Sequence, residues 1–160
     1  MFMNAGTRYG EMADALHEVE VFHGGQSRRC QPRELGFSYR HSSLPPGGIV
    51  TRVRLALRPS TPQEVQARMD VADAARKGQP HARTFGCAFK NPAGESAGRL
   101  IDLAGLKGTR VGGAMISLEH GNFIVNAGGA SASDVIALIR LVEEKLGRPL
   151  EREVIVWGQG

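Results

Sequence analysis

The amino-acid sequence predicts an α+β fold of short strands, two longer helices and many turns. Two segments, Ala15 to Phe22 and Gly48 to Leu57, alternate apolar and polar residues as half-buried strands do. Two others, around 61–77 and 133–147, carry helix start and stop signals. The 160 residues include 21 glycines and 8 prolines, which is more typical of α+β or β-rich architecture than of a helix bundle.

The first third of the chain is predicted to be β-rich. The pair Gly24-Gly25 is a turn that lets Gln26 to Cys30 return as a hairpin. In the strand at Gly48 to Leu57 the alternation slips between Val50 and Val53, which indicates a β-bulge.

The residues 61–64, Thr-Pro-Gln-Glu, form a capping box with proline at the first helical position. The helix is expected to run to about Lys77, because Gly78 and Pro80 stop it. Its predicted inner face consists of Val65, Met69, Ala72 and Ala75 or Arg76. A linker is predicted at Gln79 to Phe85.

The second half alternates helices and short strands. The expected elements are a helix at Ser96 to Leu103, strands at Val111 to Ser117 and Asn122 to Asn126, and a final strand at Glu151 to Trp157. Between the last two strands, Ser133 or Asp134 is expected to cap a strong helix that Gly147 ends. The apolar face of that helix is Val135, Leu138, Ile139, Val142 and Leu146.

Composition narrows the class of partner. The net charge is +4 and the arginines are scattered, so the sequence does not favour nucleic acid as the ligand. An anionic small molecule such as a nucleotide-sugar diphosphate is equally compatible with this charge. Two cysteines far apart in sequence favour a reducing, cytoplasmic compartment. No apolar run approaches the roughly 18 residues of a membrane span. His120 has no metal-ligand spacing to another histidine or cysteine, so no metal is expected.

The stretch Gly86 to Gly94 places the thiol of Cys87 in a short loop of small residues. Small residues around one reactive side chain are typical of a turn where the backbone approaches a ligand. An ordinary thiol has a pKa of about 8.5, so it is mostly protonated at neutral pH and can act as a general acid. On residue type alone, a buried structural cysteine is the alternative.

Six motifs together resemble the UDP-N-acetylenolpyruvoylglucosamine reductase (MurB) family. In chain order they are Asn4-Ala5-Gly6 with Gly10-Glu11, Tyr39-Arg40, GCAFKNP at 86–92, AGLKG at 104–108, S-x-x-H-x-N-F-I-V-N at 117–126, and LEREV at 150–154. The resemblance covers essentially the whole chain, with the motifs in the family's order. The family usually has serine where this chain has Cys87.

The resemblance implies a flavoprotein oxidoreductase that converts UDP-N-acetylglucosamine enolpyruvate to UDP-N-acetylmuramate in peptidoglycan precursor synthesis. In the family, NADPH reduces FAD, a hydride passes from the flavin to the enolpyruvyl double bond, and a general acid protonates the adjacent carbon. Cys87 would be that acid, and Arg40 would contact the substrate carboxylate. Glu153, rather than its neighbour Glu151, matches the active-site glutamate, and with Arg40 it would stabilise the enolate-like intermediate.

The resemblance also implies binding residues, although each alone is more often a cap, a turn or a surface residue. The expected substrate-binding residues are Tyr39, Asn91, Lys107, His120 and Asn122, with Asn126 in the same motif. The expected cofactor contacts are Asn4, Gly6 and Arg83.

Three parts are expected: the remainder of a second FAD-binding domain at 1–80, a substrate-binding domain at 81–150, and a strand at 151–160 that returns to the first part. The family's glycine-rich flavin loops precede the position where this chain begins. The chain alone is therefore expected to lack flavin and activity, with the missing N-terminal half as its partner. The alternative is a UDP-sugar-binding remnant without redox activity; a basic nucleic-acid binder is a weaker third possibility.

Overall fold

The computed structural model describes residues 1–156 and 158. Contacts between Cα atoms divide the chain into two compact units, Met1–Glu64 and Val65–Gly160. The architecture is mixed α and β, which confirms the predicted fold class.

The first unit is built on two small antiparallel sheets. Strands β1 (Gly6–Thr7) and β2 (Gly10–Glu11) form a hairpin, followed by one turn of helix, α1 (Met12–Ala15). Strands β3 (Leu16–His23), β4 (Gln26–Cys30) and β5 (Ile49–Leu55) form a second sheet in the order β4-β3-β5. A 3₁₀ turn at Pro32–Leu35 follows β4. Both predicted strands and the hairpin are confirmed.

The predicted bulge lies in β5. Arg52 stands opposite Glu20, whereas Val50 stands opposite Val21, so one extra residue, Thr51, interrupts the pairing. This shift keeps Val50 on the same side as the core of the unit. That core consists of Leu16, Val19, Val21, Cys30 and Leu35, with Met1, Phe37, Leu44 and Val50 packed against it.

The helix α2 (Pro62–Ala74) has the predicted capping box but no buried face. The Glu64 N–H donates to Thr61 Oγ1 over 3.2 Å, and the Glu64 carboxylate accepts from the Thr61 N–H over 3.1 Å. The predicted inner face is wrong: Val65 is 44% and Met69 53% exposed. The residues spaced as a core face therefore lie towards solvent, and the helix ends at Ala74 rather than at Lys77.

The second unit packs two helices with a four-stranded antiparallel sheet in the order β6-β9-β8-β7. Besides residues 65–74 of α2, the unit contains β6 (Thr84–Cys87), α3 (Ala97–Leu103), β7 (Arg110–Val111), β8 (Ala114–Ile116), β9 (Phe123–Asn126) and α4 (Ala132–Leu146). The core includes Phe89, Ile101, Ile116, Leu138, Ile139 and Val142, so the predicted apolar face of α4 is confirmed at its centre.

Three local predictions in this unit need correction. The strand expected at Val111 to Ser117 is two strands, because the chain turns at Gly112-Gly113. The N-cap of α4 is Ser131 rather than Ser133 or Asp134, with Asp134 as the partner in the capping box. Of the final predicted strand, residues 151–156 form only one isolated bridge, Arg152 with Phe89, and Trp157 lies outside the described residues.

The division between the units falls at Glu64/Val65, whereas the sequence suggested a boundary at 80/81. Residues 151–153 of the C-terminal segment pair with residues 88–90 of the second unit, where the Glu153 N–H donates to the Ala88 carbonyl over 2.9 Å. The three-part domain organisation stays a prediction.

Candidate active site

Cys87 is positioned by an irregularity at the end of β6. Thr84 pairs with Val125 and Cys87 with Phe123, so the register shifts between them. Gly86, with φ 92°, occupies backbone space that favours glycine. Its N–H donates to Thr84 Oγ1 over 3.2 Å. Such bulges re-aim the side chain that follows, and Cys87 lies half-buried at the end of the sheet.

Asn122 holds the loop that begins at Cys87. Its side chain is 3% exposed. The amide nitrogen donates to the Phe89 carbonyl over 2.7 Å, and the amide oxygen accepts from the Phe89 N–H over 3.0 Å. The Ala88 N–H donates to the Asn122 carbonyl over 2.8 Å. Asn122 thus binds the protein itself, and its contact with a substrate stays a prediction.

Glu153 lies beside this loop. The segments 88–90 and 151–153 run antiparallel: the Glu153 N–H donates to the Ala88 carbonyl, and the Lys90 N–H donates to the Glu151 carbonyl over 2.7 Å. The Lys90 ammonium also lies 2.6 Å from the Glu151 carboxylate. The pairing brings Glu153 next to the residue that follows Cys87, although 66 positions separate Cys87 and Glu153 in sequence.

Lys107 and His120 form a second polar group in this unit. The Lys107 ammonium pairs with the Asp102 carboxylate at 2.8 Å. Burial of the ring, and in second place the positive charge of Lys107, hold the pKa of His120 below its usual value of 6.5. The Asn122 N–H donates to His120 Nδ1 over 3.2 Å, so the neutral ring carries its hydrogen on Nε2.

The two other asparagines of the predicted set stabilise turns. The Asn91 side-chain oxygen accepts from the Ala97 N–H over 3.0 Å, at the first turn of α3. The Asn126 side-chain oxygen accepts from Gly128 and Ala130 N–H groups and shapes the loop before α4. A turn or cap role was the alternative to substrate binding for both residues, and both have such a role in the structure.

In the first unit, Asn4 and Arg40 both have left-handed backbones, φ 42° and 51°. Such a conformation is uncommon for residues other than glycine and often marks functional sites. The guanidinium of Arg40 donates to the Gly6 carbonyl over 3.1 Å and lies over the exposed Tyr39 ring, 5.2 Å from its centre.

Asn4 is 1% exposed, and its side chain is occupied within the first unit. The amide nitrogen donates to the Glu11 carboxylate over 2.6 Å and to the Ser38 carbonyl over 3.1 Å. The amide oxygen accepts from the Ala13 N–H over 3.1 Å. Asn4 therefore joins the N-terminal hairpin to the loop that precedes Arg40.

Arg83 is exposed and lines a shallow groove of about 390 Å³ in the second unit. The other lining residues come from β6, β9 and the beginning of α4, including Phe85, Asn126 and Ser131. The groove is open to solvent and could accept a flat or anionic group beside the guanidinium.

Three residues that support the site were not singled out from the sequence. A Cβ atom on Gly98 would lie 2.9 Å from His120 Cε1, so α3 needs glycine where the histidine packs. Asp102 pairs with Lys107, five positions away, and no sequence motif marks that pair. Ser117 is buried, and its hydroxyl donates to the Glu119 carboxylate and accepts from the His120 N–H, a turn that the spacing Ser-x-x-His could have suggested.

Two further features are absent from residues 1–156 and 158, the part of the chain that the structure describes. This part of the chain contains no group of three or more His, Cys, Asp and Glu side chains placed to hold a metal ion. It also contains no helix with the length and apolar content needed to cross a membrane.

Comparison with known proteins decides the family. Residues 79–157 match the model of the UDP-N-acetylenolpyruvoylglucosamine reductase C-terminal domain. The chain is 65% identical over 155 residues to the reductase of that name from Thermus thermophilus, covering 97% of this chain and 58% of the relative. The chain belongs to the C-terminal part of this reductase family.

Further matches agree with this assignment. The reductase of the same name from Deinococcus radiodurans is 59% identical, covering 98% of this chain and 54% of the relative. The crystal structure of UDP-N-acetylenolpyruvylglucosamine reductase (MurB) from Thermus caldophilus superimposes with a TM-score of 0.92 at 64% identity, over 98% of this chain and 58% of that one. The chain thus spans slightly more than half the length of these reductases.

Proposed function

We propose that this chain is the substrate-reducing C-terminal part of a UDP-N-acetylenolpyruvoylglucosamine reductase. The reaction converts UDP-N-acetylglucosamine enolpyruvate to UDP-N-acetylmuramate, with NADPH as the reductant, and supplies a precursor of peptidoglycan. The observation that carries the proposal is the pairing of segments 88–90 and 151–153, which brings Glu153 beside the Cys87 loop. The presence of only two cysteines, Cys30 and Cys87, far apart in sequence, supports a cytoplasmic setting.

Cys87 serves as the proton donor. The Cys87 Sγ–H bond breaks as a C–H bond forms on the substrate carbon, which leaves a thiolate. The Asn122 side chain hydrogen-bonds both the N–H and the carbonyl of Phe89. The loop that carries the thiol is therefore held in one geometry before the substrate binds. The backbone of Glu153 is hydrogen-bonded to Ala88, which holds that residue beside the same loop.

In this proposal the substrate is bound by five residues: Tyr39, Arg40, Asn91, Lys107 and His120. The guanidinium of Arg40 suits the carboxylate of the enolpyruvyl group, since it offers several donors in a planar fork. The Lys107 ammonium supplies positive charge for a diphosphate. A neutral His120 donates a hydrogen bond to the substrate from Nε2 and adds no positive charge beside that of Lys107.

The residues of this chain fit a flavin only in part. When bound, FAD would supply the hydride that it accepts from NADPH. The side chain of Asn4 is buried and already hydrogen-bonded, so Asn4 would contribute through its backbone. A Cβ atom on Gly6 would lie 2.8 Å from Glu11, so the chain is tightly packed there. Arg83, exposed beside its groove, is the group best placed to meet an anionic part of the cofactor.

The proposal is tested in a chimera that joins the N-terminal part of the Thermus thermophilus reductase to this chain. Cys87→Ala is expected to leave flavin reduction by NADPH intact and to slow flavin reoxidation by substrate by about 10²–10⁴-fold, because only that step needs the proton. Cys87→Ser is expected to keep substantial activity, and Cys30→Ala serves as the matched control. Stopped-flow absorbance measures both half-reactions; full turnover by Cys87→Ala would contradict the assignment.

A second candidate is binding without redox chemistry. It is favoured by the fact that Lys107, His120 and Asn122 belong to one compact unit. If the chain is such a module, it binds UDP-N-acetylglucosamine by itself, and Lys107→Met weakens that binding. Isothermal titration with the sugar nucleotide and with a single-stranded RNA separates this function from nucleic-acid binding.

A further inference from the structure

Arg40 lies in a tight turn whose backbone conformation does not suit an arginine. The Ser38 N–H donates to the His41 carbonyl over 3.2 Å, and the His41 N–H donates to the Ser38 carbonyl over 3.1 Å. These bonds close a turn of four residues with Tyr39 and Arg40 at its centre. A positive φ, 51° at Arg40, is the usual place of glycine or asparagine in such a turn. Backbone of this kind persists only where the surrounding structure holds it.

Three side-chain hydrogen bonds join residues 2–6 (the N-terminal segment) to residues 38–42 (the Arg40 loop). Each bond runs from a side-chain donor on one segment to a backbone carbonyl on the other. The three pairs are Ser42 with Phe2 at 2.7 Å, Asn4 with Ser38 at 3.1 Å, and Arg40 with Gly6 at 3.1 Å. The Arg40 loop is therefore held against the N-terminal segment at three points, on both sides of the arginine.

Two of the three donors are buried. Ser42 is 5% and Asn4 1% exposed, so the loss of a partner would leave a buried polar group unsatisfied. Asn4 also anchors the N-terminal segment itself, because its amide nitrogen donates to the Glu11 carboxylate and its amide oxygen accepts from the Ala13 N–H. The Ser42 hydroxyl therefore binds a carbonyl that belongs to a fixed segment.

Gly6 gives the guanidinium of Arg40 its room. A Cβ atom on Gly6 would lie 2.8 Å from Glu11 Cγ and 3.4 Å from Arg40 Nη1. The Gly6 carbonyl also accepts from Nη2 of the same guanidinium. A guanidinium carries its five N–H donors in one rigid plane, so a bond at one nitrogen sets the direction of the others. The N-terminal segment thus fixes both the backbone and the head group of Arg40.

We propose that Ser42 is a positioning residue that orients Arg40 for the carboxylate of the enolpyruvyl group. This inference rests on the proposed function, in which Arg40 binds that carboxylate, and it adds a residue that acts through the Arg40 loop without touching the substrate. A guanidinium binds a carboxylate through two parallel hydrogen bonds, which require a defined orientation. A loop that is already held in that orientation loses less conformational freedom when the substrate binds.

The test compares two ligands on the chimera with the N-terminal part of the Thermus thermophilus reductase, without NADPH. UDP-N-acetylglucosamine enolpyruvate carries the carboxylate, and UDP-N-acetylglucosamine does not. Ser42→Ala is expected to weaken binding of the first ligand about three- to tenfold and to leave binding of the second unchanged in isothermal titration. Ser43→Ala, the same change at the exposed neighbouring serine, is the matched control. A merely structural role of Ser42 would weaken both ligands alike, and this result would overturn the proposal.

A double-mutant cycle shows whether Ser42 acts through Arg40. Arg40→Met alone is expected to weaken binding of the enolpyruvate at least about tenfold, since it removes the charged donor. Ser42→Ala in that background should add less than about twofold. Effects that multiply, or normal binding by Ser42→Ala alone, overturn the proposal and leave the role of Arg40 intact. Normal binding by Arg40→Met overturns the proposed role of Arg40 and this inference with it.

Amide hydrogen exchange on the chain itself gives a readout that needs no ligand. The His41 N–H closes the turn around Arg40, so its exchange reports how firmly the Arg40 loop is held. This amide should exchange faster in Ser42→Ala than in the unaltered chain or in Ser43→Ala. Equal exchange of His41 in all three proteins would show that Ser42 does not hold the loop, which overturns the proposal.

Discussion

At the scale of single residues, the ring of His120 is held neutral by its surroundings. Burial disfavours the charged ring, and the Lys107 ammonium repels it, so the pKa of His120 lies below its usual value. The ring packs edge-on to Phe123, with centroids 4.8 Å apart, and closely against Gly98. The native state therefore binds fewer protons at this site than the unfolded chain does.

This difference predicts the sign of a pH effect on stability. The neutral ring of His120 adds to the free energy of unfolding, and this stabilisation is fully present above the pKa of the unfolded chain, about 6.5. It is lost as the pH falls from there through the lower pKa of the folded state. We expect urea midpoints to fall between pH 7.5 and pH 5.5 by more in the unaltered chain than in His120→Gln. An equal fall in both would show that His120 carries no depressed pKa.

An NMR titration of the ring checks the cause. Lys107→Met removes a positive charge, so it should raise the pKa of His120. Arg110→Met, at an exposed cation of β7, serves as the control. A pKa of His120 that stays unchanged in Lys107→Met would leave burial as the sole cause.

At the scale of elements, the turn between β7 and β8 depends on Gly113. A Cβ atom there would lie 2.3 Å from the Gly128 carbonyl and 2.4 Å from the Ala130 nitrogen, both backbone atoms of the loop before α4. Gly113→Ala should therefore push the two loops apart and destabilise the second unit by about 1–3 kcal/mol. Gly78→Ala, where a Cβ meets nothing within 4 Å, is the control. Thermal unfolding of both variants measures the difference; equal midpoints would contradict the close packing.

The N-terminus of α4 gives a second prediction at this scale. The Asp134 carboxylate accepts hydrogen bonds from the N–H groups of Ser131 and Gly113, and these bonds lower the pKa of Asp134. The charged carboxylate of Asp134 adds to the free energy of unfolding above the pKa of the unfolded chain, and this stabilisation is lost as the pH falls through the lower pKa of the folded state. Asp134→Asn should therefore be less stable than the unaltered chain at pH 7, with a gap that shrinks below about pH 4. A gap that persists undiminished at acid pH would contradict a charged cap.

At the scale of the whole molecule, an exposed segment joins the end of α2 to β6. Residues 75–83 lie between Ala74 and Thr84, and Arg76, Lys77 and Arg83 are all exposed. We expect limited trypsin digestion to cut this segment first and to leave a resistant fragment that contains α3, α4 and the four-stranded sheet. Mass spectrometry identifies the first cut, and a first cut inside α4 would contradict the expectation.

The chain by itself is expected to purify without the yellow colour of a flavin. The motivation is the length of the match, since the chain spans only 58% of the Thermus thermophilus reductase and the family's flavin loops are expected in the rest. An absorbance spectrum of the purified protein, compared with that of the chimera, measures this. A stoichiometric flavin spectrum on the chain alone would place the cofactor site within these residues.

Much of the local structure was determined by the sequence alone. Three features follow from patterns within a few residues, so their physical causes are local: the strands β3 and β5, the hairpin at Gly24-Gly25, and the capping box that begins at Thr61. The family was also recognisable, because motifs such as Tyr39-Arg40 and the Cys87 loop occur in order along the chain.

Only the tertiary structure decided how those elements and residues are used. The apolar spacing of α2 predicted a buried face, yet Met69 is exposed, because spacing gives a stripe but not a neighbour to cover it. The clamp of Asn122 on Phe89 joins residues 33 positions apart, and the pairing of Glu153 with Ala88 joins residues still farther apart. Such contacts arise from chain folding over long sequence separations, and no pattern within a single segment encodes them.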